Sequence, residues 1–149
     1  MRAVVQRVAR ASVTVARETV GRIGAGLLVY AAAHADDGDP DIAYIATKIA
    51  HLRVFPDQAG KMNLDVRQSG GGVLLVSAFT VHADARKGRR PSCDASAPGP
   101  IARPLIEQLG RLIRDHDLRV ETGRFAEHML VDSVNDGPIC ILLDSRRVV

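Results

Sequence analysis

Tryptophan is absent from this 149-residue chain, and aromatic residues make up only 3% of it. Its core must therefore be aliphatic, with each buried Val, Ile or Leu contributing roughly 1.5–3 kcal/mol. Two cysteines, Cys93 and Cys140, are too few for a disulfide framework, and the expected compartment is a reducing cytoplasm. No run of about 18 apolar residues occurs, so no membrane span is expected. The opening Met1-Arg2-Ala3-Val4-Val5 reads as a strand and lacks the apolar centre of a signal peptide. The five histidines (His34, His51, His82, His116, His128) lack the paired spacing of zinc ligands. His82-x-Asp84 comes nearest and reads as a surface loop. Walker A, dinucleotide and G-x-S-x-G signatures are also missing, so the expectation is no metal and no cofactor.

What is present fits one domain, residues 1–149, with an apolar share of 46%. Met1 to Arg10, Ser12 to Ala16 and Glu18 to Ile23 read as strands, and Gly24-Ala25-Gly26 as a turn. Leu27 to Ala33 is a continuous apolar run, expected to be a central strand. Asp39 is the expected N-cap of a helix with Pro40 at its first position, and Ile42, Ile45, Ile49 and Leu52 supply its apolar face. Arg53-Val54-Phe55 reads as a short strand, and Pro56 to Leu64 as a polar connection. Val73 to Val81 is a strand entered through Gly70-Gly71-Gly72. A second helix uses Ile101, Leu105, Leu109, Leu112 and Ile113, with Pro104 expected in its first turn. Leu118 to Thr122 is a strand. Met129 to Val134 and Ile139 to Leu143 form a last pair, joined by a turn at Asn135 to Pro138. Arg146 to Val149 reads as a loose tail. The order argues for an α+β fold, a bent antiparallel-rich sheet or barrel with two packed helices.

Two runs carry the chemistry. Ser77-Ala78-Phe79-Thr80 ends the most apolar strand, where backbone and hydroxyl donors converge. The amides of Phe79 and Thr80 suit an oxyanion hole, and Thr80 Oγ is a further donor. In Asn135-Asp136-Gly137-Pro138, Gly137 permits close backbone approach and Pro138 stiffens the turn. Asp132 and Asp136 fit a strand end and a turn as well as a catalytic role. Cys140 reads as a small buried core residue rather than a nucleophile. The site is poor in acids and bases, so the substrate must be activated or bring its own assisting group. The net charge is +3, and Arg86, Lys87, Arg89 and Arg90 crowd one loop. That loop is either a solvated basic segment or a phosphate-contacting one.

With these runs on the page, the chain resembles the D-aminoacyl-tRNA deacylases. The resemblance extends from Met1 to Val8 and Ala11 to Val15, through Gly60 to Leu64, Lys87 to Ser92 and Glu121 to Phe125. It ends in Val134 to Pro138 and Leu142 to Ser145. It implies hydrolysis of D-aminoacyl-tRNA esters at the 3′ acceptor end, and of glycyl-tRNA mischarged on tRNA-Ala. It further implies catalysis through Ser77, Phe79 and Thr80, with help from the terminal ribose hydroxyl and without metal. Phe125 and Met129 would hold the terminal adenine, and Arg86, Lys87, Arg89 and Arg90 would meet tRNA phosphates. The family is a homodimer in which a cis Gly-Pro turn of one subunit, here Gly137–Pro138, enters the other's site and excludes L side chains. Two positions depart from the family pattern: Ala78 stands where it has Gln, and Cys140 where it usually has Thr. The alternative they raise is a tRNA-end binding protein with weakened catalysis.

Overall fold

The structure is a computed structural model, and it describes residues 1–148. Eight strands and two helices follow one another as β1 (Arg2–Val15), β2 (Glu18–Ile23), β3 (Gly26–Ala32), α1 (Asp39–His51), β4 (Phe55–Pro56), β5 (Met62–Leu64), β6 (Gly72–Ser77), α2 (Gly99–Arg114), β7 (Val120–Thr122) and β8 (Leu130–Asp144). A 3-10 turn, Phe79–His82, follows β6. The main sheet runs β2-β1-β3-β6-β7, with β8 added along β1. β1 is antiparallel to β2, β3 and β8, whereas β3–β6 and β6–β7 are parallel. Parallel neighbours need long crossovers. α1 with the β4–β5 hairpin supplies the first, and α2 the second.

The mixed sheet nearly closes as a barrel. Gly21 on β2 faces β7 so closely that a Cβ there would lie 2.6 Å from the Thr122 carbonyl oxygen. Only glycine permits that approach.

The two predicted amino-terminal strands are one. β1 is long because its buried residues change phase rather than stop: Ala3 and Val5, then Val8, then Ala11, Val13 and Val15. A one-residue slip sends a strand's side chains to the opposite face. The slips fall where the β1–β8 register is irregular, around Val8. Ala3 and Val5 join the core under the helices, while Val8 to Val15 fill the barrel with Ile23, Leu28, Leu74 and Val76.

α1 buries Ile42, Ile45, Ala46, Ile49 and Ala50, as its spacing demands. Its N-cap is Gly38 rather than Asp39. The Asp41 carboxylate accepts from the Gly38 N–H at 3.0 Å, so the cap forms one residue earlier. Pro104 lies inside α2 rather than in its first turn. The missing N–H costs a bond, offset by burial of Ile106, Leu109 and Ile113 against the sheet. Met62–Leu64, expected within a polar connection, is a strand paired with Phe55–Pro56. The carboxyl end is tied down where a loose tail was expected. The Ser145 Oγ accepts from the Met1 ammonium at 2.7 Å, and Arg146 reaches His34 Nδ1 at 2.8 Å. Val149, part of that expectation, lies outside the described residues.

Candidate active site

β6 carries the site. Its side chains Val73 to Val76 are buried on both faces, and the strand ends at Ser77 rather than continuing to Val81. The chain then turns as the 3-10 segment. The Ala78 N–H donates to the Ala31 carbonyl on β3 at 2.9 Å, and the Val81 N–H to the Ala78 carbonyl at 3.0 Å. The Ser96 hydroxyl donates to the Phe79 carbonyl at 2.6 Å. These three bonds leave the amides of Phe79 and Thr80 without a protein acceptor among the described residues. Both residues are exposed, Phe79 at 61%.

A cavity of about 470 Å³ opens over this turn. Its wall brings Ser77, Ala78, Phe79 and Thr80 together with Phe125 and Met129, all expected from sequence. α2 closes it with Gly99, Ala102 and Ile106. The lining is mainly apolar, and Glu127 supplies its one ionisable side chain among the described residues. Such a place can polarise a carbonyl through fixed amide donors and offers little acid–base chemistry of its own. Ala78 faces the cavity with no polar group.

The other expected residues lie elsewhere in this chain. Asn135 to Pro138 is not a turn between two paired strands. The runs on either side both pair with β1, so the segment is a bulge within one strand, β8: Gln6 faces Cys140 and Val8 faces Asn135. Gly-Pro chemistry suits a bulge as well as a hairpin, and the partner strand decides between them. The Gly137–Pro138 peptide is cis, as the resemblance implied. Both residues are exposed, and neither lines the cavity. The Asn135 side chain spans the bulge, donating to the Ile139 carbonyl and accepting from its N–H, both at 2.9 Å. Arg7 adds a second tie. Its Nε donates to the Asp136 carbonyl at 2.9 Å, and its Nη1 to the Val54 carbonyl. Sequence reading missed Arg7, because no local pattern links it to residue 136. Cys140 is exposed rather than buried. β8 is an edge strand paired only with β1, and position 140 falls on its open face.

The basic loop does not line the cavity either. Arg86 is committed to Asp84 through Nε and Nη2, at 2.9 and 2.6 Å. That pairing brings the Asp84 carboxyl down to about 2. Lys87, Arg89 and Arg90 are exposed. His82, read as a loop residue, is buried at the end of the 3-10 turn, and its Nε2 has no hydrogen-bond partner. Burial lowers its pKa, and the charges of Arg2 and the amino terminus lower it further. Among the described residues no group of three or more His, Cys, Asp or Glu could hold a metal ion.

Comparison with known proteins follows the same lines. A family model described as D-Tyr-tRNA(Tyr) deacylase matches residues 4–144. A D-aminoacyl-tRNA deacylase of Syntrophobacter fumaroxidans is 54% identical over 148 residues, covering 99% of both chains. That of Thermosipho africanus is 51% identical with the same coverage. That of Neisseria meningitidis serogroup B is 50% identical, covering 97% of this chain and 91% of the relative. Among solved structures, one titled c-Myc DNA Unwinding Element Binding Protein superposes with a TM-score of 0.91 at 34% identity, covering 97% of this chain and 98% of its own. A probable eukaryotic D-amino acid tRNA deacylase shares the fold, with a TM-score of 0.82 at 16% identity over 96% of this chain and 98% of its own.

Proposed function

Because the chain belongs to the D-Tyr-tRNA(Tyr) deacylase family, we propose that it hydrolyses the ester bond of D-aminoacyl-tRNA, freeing the tRNA and the D-amino acid. The observation that carries this reading is the cavity whose lining brings Phe79 and Thr80, whose amides have no protein acceptor among the described residues, together with Phe125 and Met129. The terminal adenosine lies against Phe125 and Met129. That directs the aminoacyl ester of its ribose toward the 3-10 turn. Water attacks the ester carbonyl, and the oxygen that becomes negative accepts from the Phe79 and Thr80 N–H groups, with Thr80 Oγ and Ser77 at the rim. A preorganised donor in such a hole lowers the barrier by about 2.7–4 kcal/mol. The C–O bond to the ribose then breaks. The proton lost by water ends on the ribose oxygen, and the neighbouring ribose hydroxyl assists its transfer.

Selectivity in this reading needs a second copy of the chain. Gly137 and Pro138 stand exposed on the β8 bulge, away from their own cavity. β8 is a long edge strand with Leu130, Val134 and Leu142 exposed on it, and such edges are usually covered. In a two-fold dimer the bulge of each subunit meets the cavity of the other. It leaves room for hydrogen but none for an L side chain on the α-carbon. Glycine passes the same test, which adds glycyl-tRNA mischarged on tRNA-Ala to the substrates. Arg86, Lys87, Arg89 and Arg90 approach tRNA phosphates outside the cavity. The protein works in the cytoplasm, where charged tRNA is found.

A binder with weakened catalysis is not favoured. Relatives half-identical over the full length carry the deacylase name, and amide donors survive any change of side chain at residue 78. The test is a timed hydrolysis of matched D- and L-aminoacyl-tRNA, with the oligomeric state followed by light scattering. The D ester should disappear and the L ester persist, and the protein should be a dimer. Equal rates on the two esters refute the chiral reading.

A further inference from the structure

Beside the catalytic cavity lies a second, larger one of about 610 Å³. The two share Ser77, Ile106, Phe125 and Glu127, so they adjoin. Its floor is the outer face of α2, where Arg103, Glu107, Arg111 and Arg114 follow at helical spacing and are all exposed. Arg124, after β7, faces them across the groove.

Four arginines therefore stand against two glutamates, Glu107 and Glu127. Among the described residues Arg103, Arg111 and Arg114 form no ion pair, and only Arg124 does, with Glu18 at 3.0 Å. The Arg103 guanidinium stacks 4.8 Å from the centre of the Phe125 ring. It therefore stands at the junction of the two cavities. From Arg103 to Arg114 the helix runs about 16 Å, enough for the arginines to meet more than one phosphate of a nucleotide strand.

We infer that this arginine-lined groove holds the single-stranded 3′ end of the tRNA, its phosphates against Arg103, Arg111 and Arg114, on the approach to the catalytic cavity. The inference rests on the proposed reading that the terminal adenosine lies against Phe125. From there the strand must leave the cavity, and this groove adjoins it along Ser77 and Phe125. Guanidinium forks suit phosphodiester oxygens. The loop at Arg86 to Arg90 is a separate surface and lines neither cavity.

The test separates binding from turnover. Fluorescence anisotropy would follow the binding of full-chain protein to uncharged tRNA, intact or trimmed of its single-stranded 3′ end, across a salt series. Arg111→Gln should weaken binding to intact tRNA about fourfold at ~0.15 M salt and reduce the log–log salt slope by about 0.7, the share of one phosphate on a single strand. Glu107→Gln should tighten binding, and Arg111→Lys should restore most of the slope. Neither glutamine variant should change binding to trimmed tRNA. An unchanged affinity and slope for Arg111→Gln on intact tRNA overturns the inference. An Arg111 effect that persists on trimmed tRNA overturns it too, since another part of the tRNA would then fill the groove. Neither result depends on hydrolysis. Failure of the wild type to hydrolyse D-aminoacyl-tRNA would sink the deacylase reading while the binding data still decide the groove.

Discussion

Replacing Gly137 by Ala probes the selectivity reading at its narrowest point. A Cβ at this position would lie 2.5 Å from the Ile139 nitrogen and 2.7 Å from Ile139 Cγ1, with φ at +156°. Ordinary contact begins near 3.4 Å, so the bulge must open by about 0.7–0.9 Å. The Ile139 N–H is also the group that Asn135 Oδ1 accepts from, so the shift strains that clamp. Overpacking of this kind costs about 1–3 kcal/mol. If the bulge is the wall that rejects L side chains, that energy is lost from rejection. The D-to-L ratio of kcat/KM should then fall by about 5- to 150-fold. The fall should come mainly from a gain on the L ester, since the amide donors belong to a different element. The assay is single-turnover hydrolysis of matched D- and L-aminoacyl-tRNA, with dimer formation confirmed by light scattering. A dimeric Gly137→Ala protein with an unchanged D-to-L ratio refutes the reasoning.

Other substitutions probe the remaining supports. Arg7→Ala removes donors to the Asp136 and Val54 carbonyls and should cost about 1–3 kcal/mol, with a lower D-to-L ratio, read by urea unfolding and the paired hydrolysis assay. Ala78→Gln adds an amide at the cavity wall and should raise kcat on the D ester about 2- to 12-fold, the worth of one net hydrogen bond; unchanged kcat would show that no group is missing there. His82 has a pKa below its ordinary 6.5 in the folded protein, so the unfolded chain binds the proton more readily. Stability is full above pH 6.5 and falls as pH drops from there toward the folded pKa, and His82→Gln should flatten that dependence in urea midpoints at pH 7.5 and 5.5. Neutralising Arg89 and Arg90 together should lower the salt slope of tRNA binding by about 0.7–0.9 for each phosphate left without its cation, and an unchanged slope would make the loop a solvated one.

The parts of this molecule legible in the sequence are those governed by local periodicity. Ile42, Ile45 and Ile49 announce the buried face of α1, and Val73 to Val76 announce a strand buried on both faces with donors at its end. The rest depends on partners far along the chain. Asn135 to Pro138 has turn chemistry whether its flanking runs pair with each other or with a third strand, and β1 decides. Cys140 looked like core because a free cysteine behaves as a small hydrophobe, but β8 buries only the face of Ile139, Ile141 and Leu143, and residue 140 falls on the open one. Arg7 carries no signal, since Asp136 and Val54 meet it only after folding. Arg103, Arg111 and Arg114 are visible as the polar face of α2, which alone suggests solvent. Beside β7 and Phe125 the same face becomes a groove wall.

In the proposed reading, rate and selectivity rest on different supports. The 3-10 turn is held by Ala31 and Ser96, through bonds to the Ala78 N–H and the Phe79 carbonyl. The bulge is held by Asn135 and Arg7. No hydrogen bond joins one set to the other among the described residues. Sites without shared partners contribute additively. A change at Ser96 should therefore lower rates on D and L esters alike, and one at Asn135 should alter their ratio. On the proposed reading, this separation leaves the amide donors independent of Ala78. A side chain beside the scissile bond can be lost while the amides that stabilise the developing charge stay where the backbone of β3 and β6 places them.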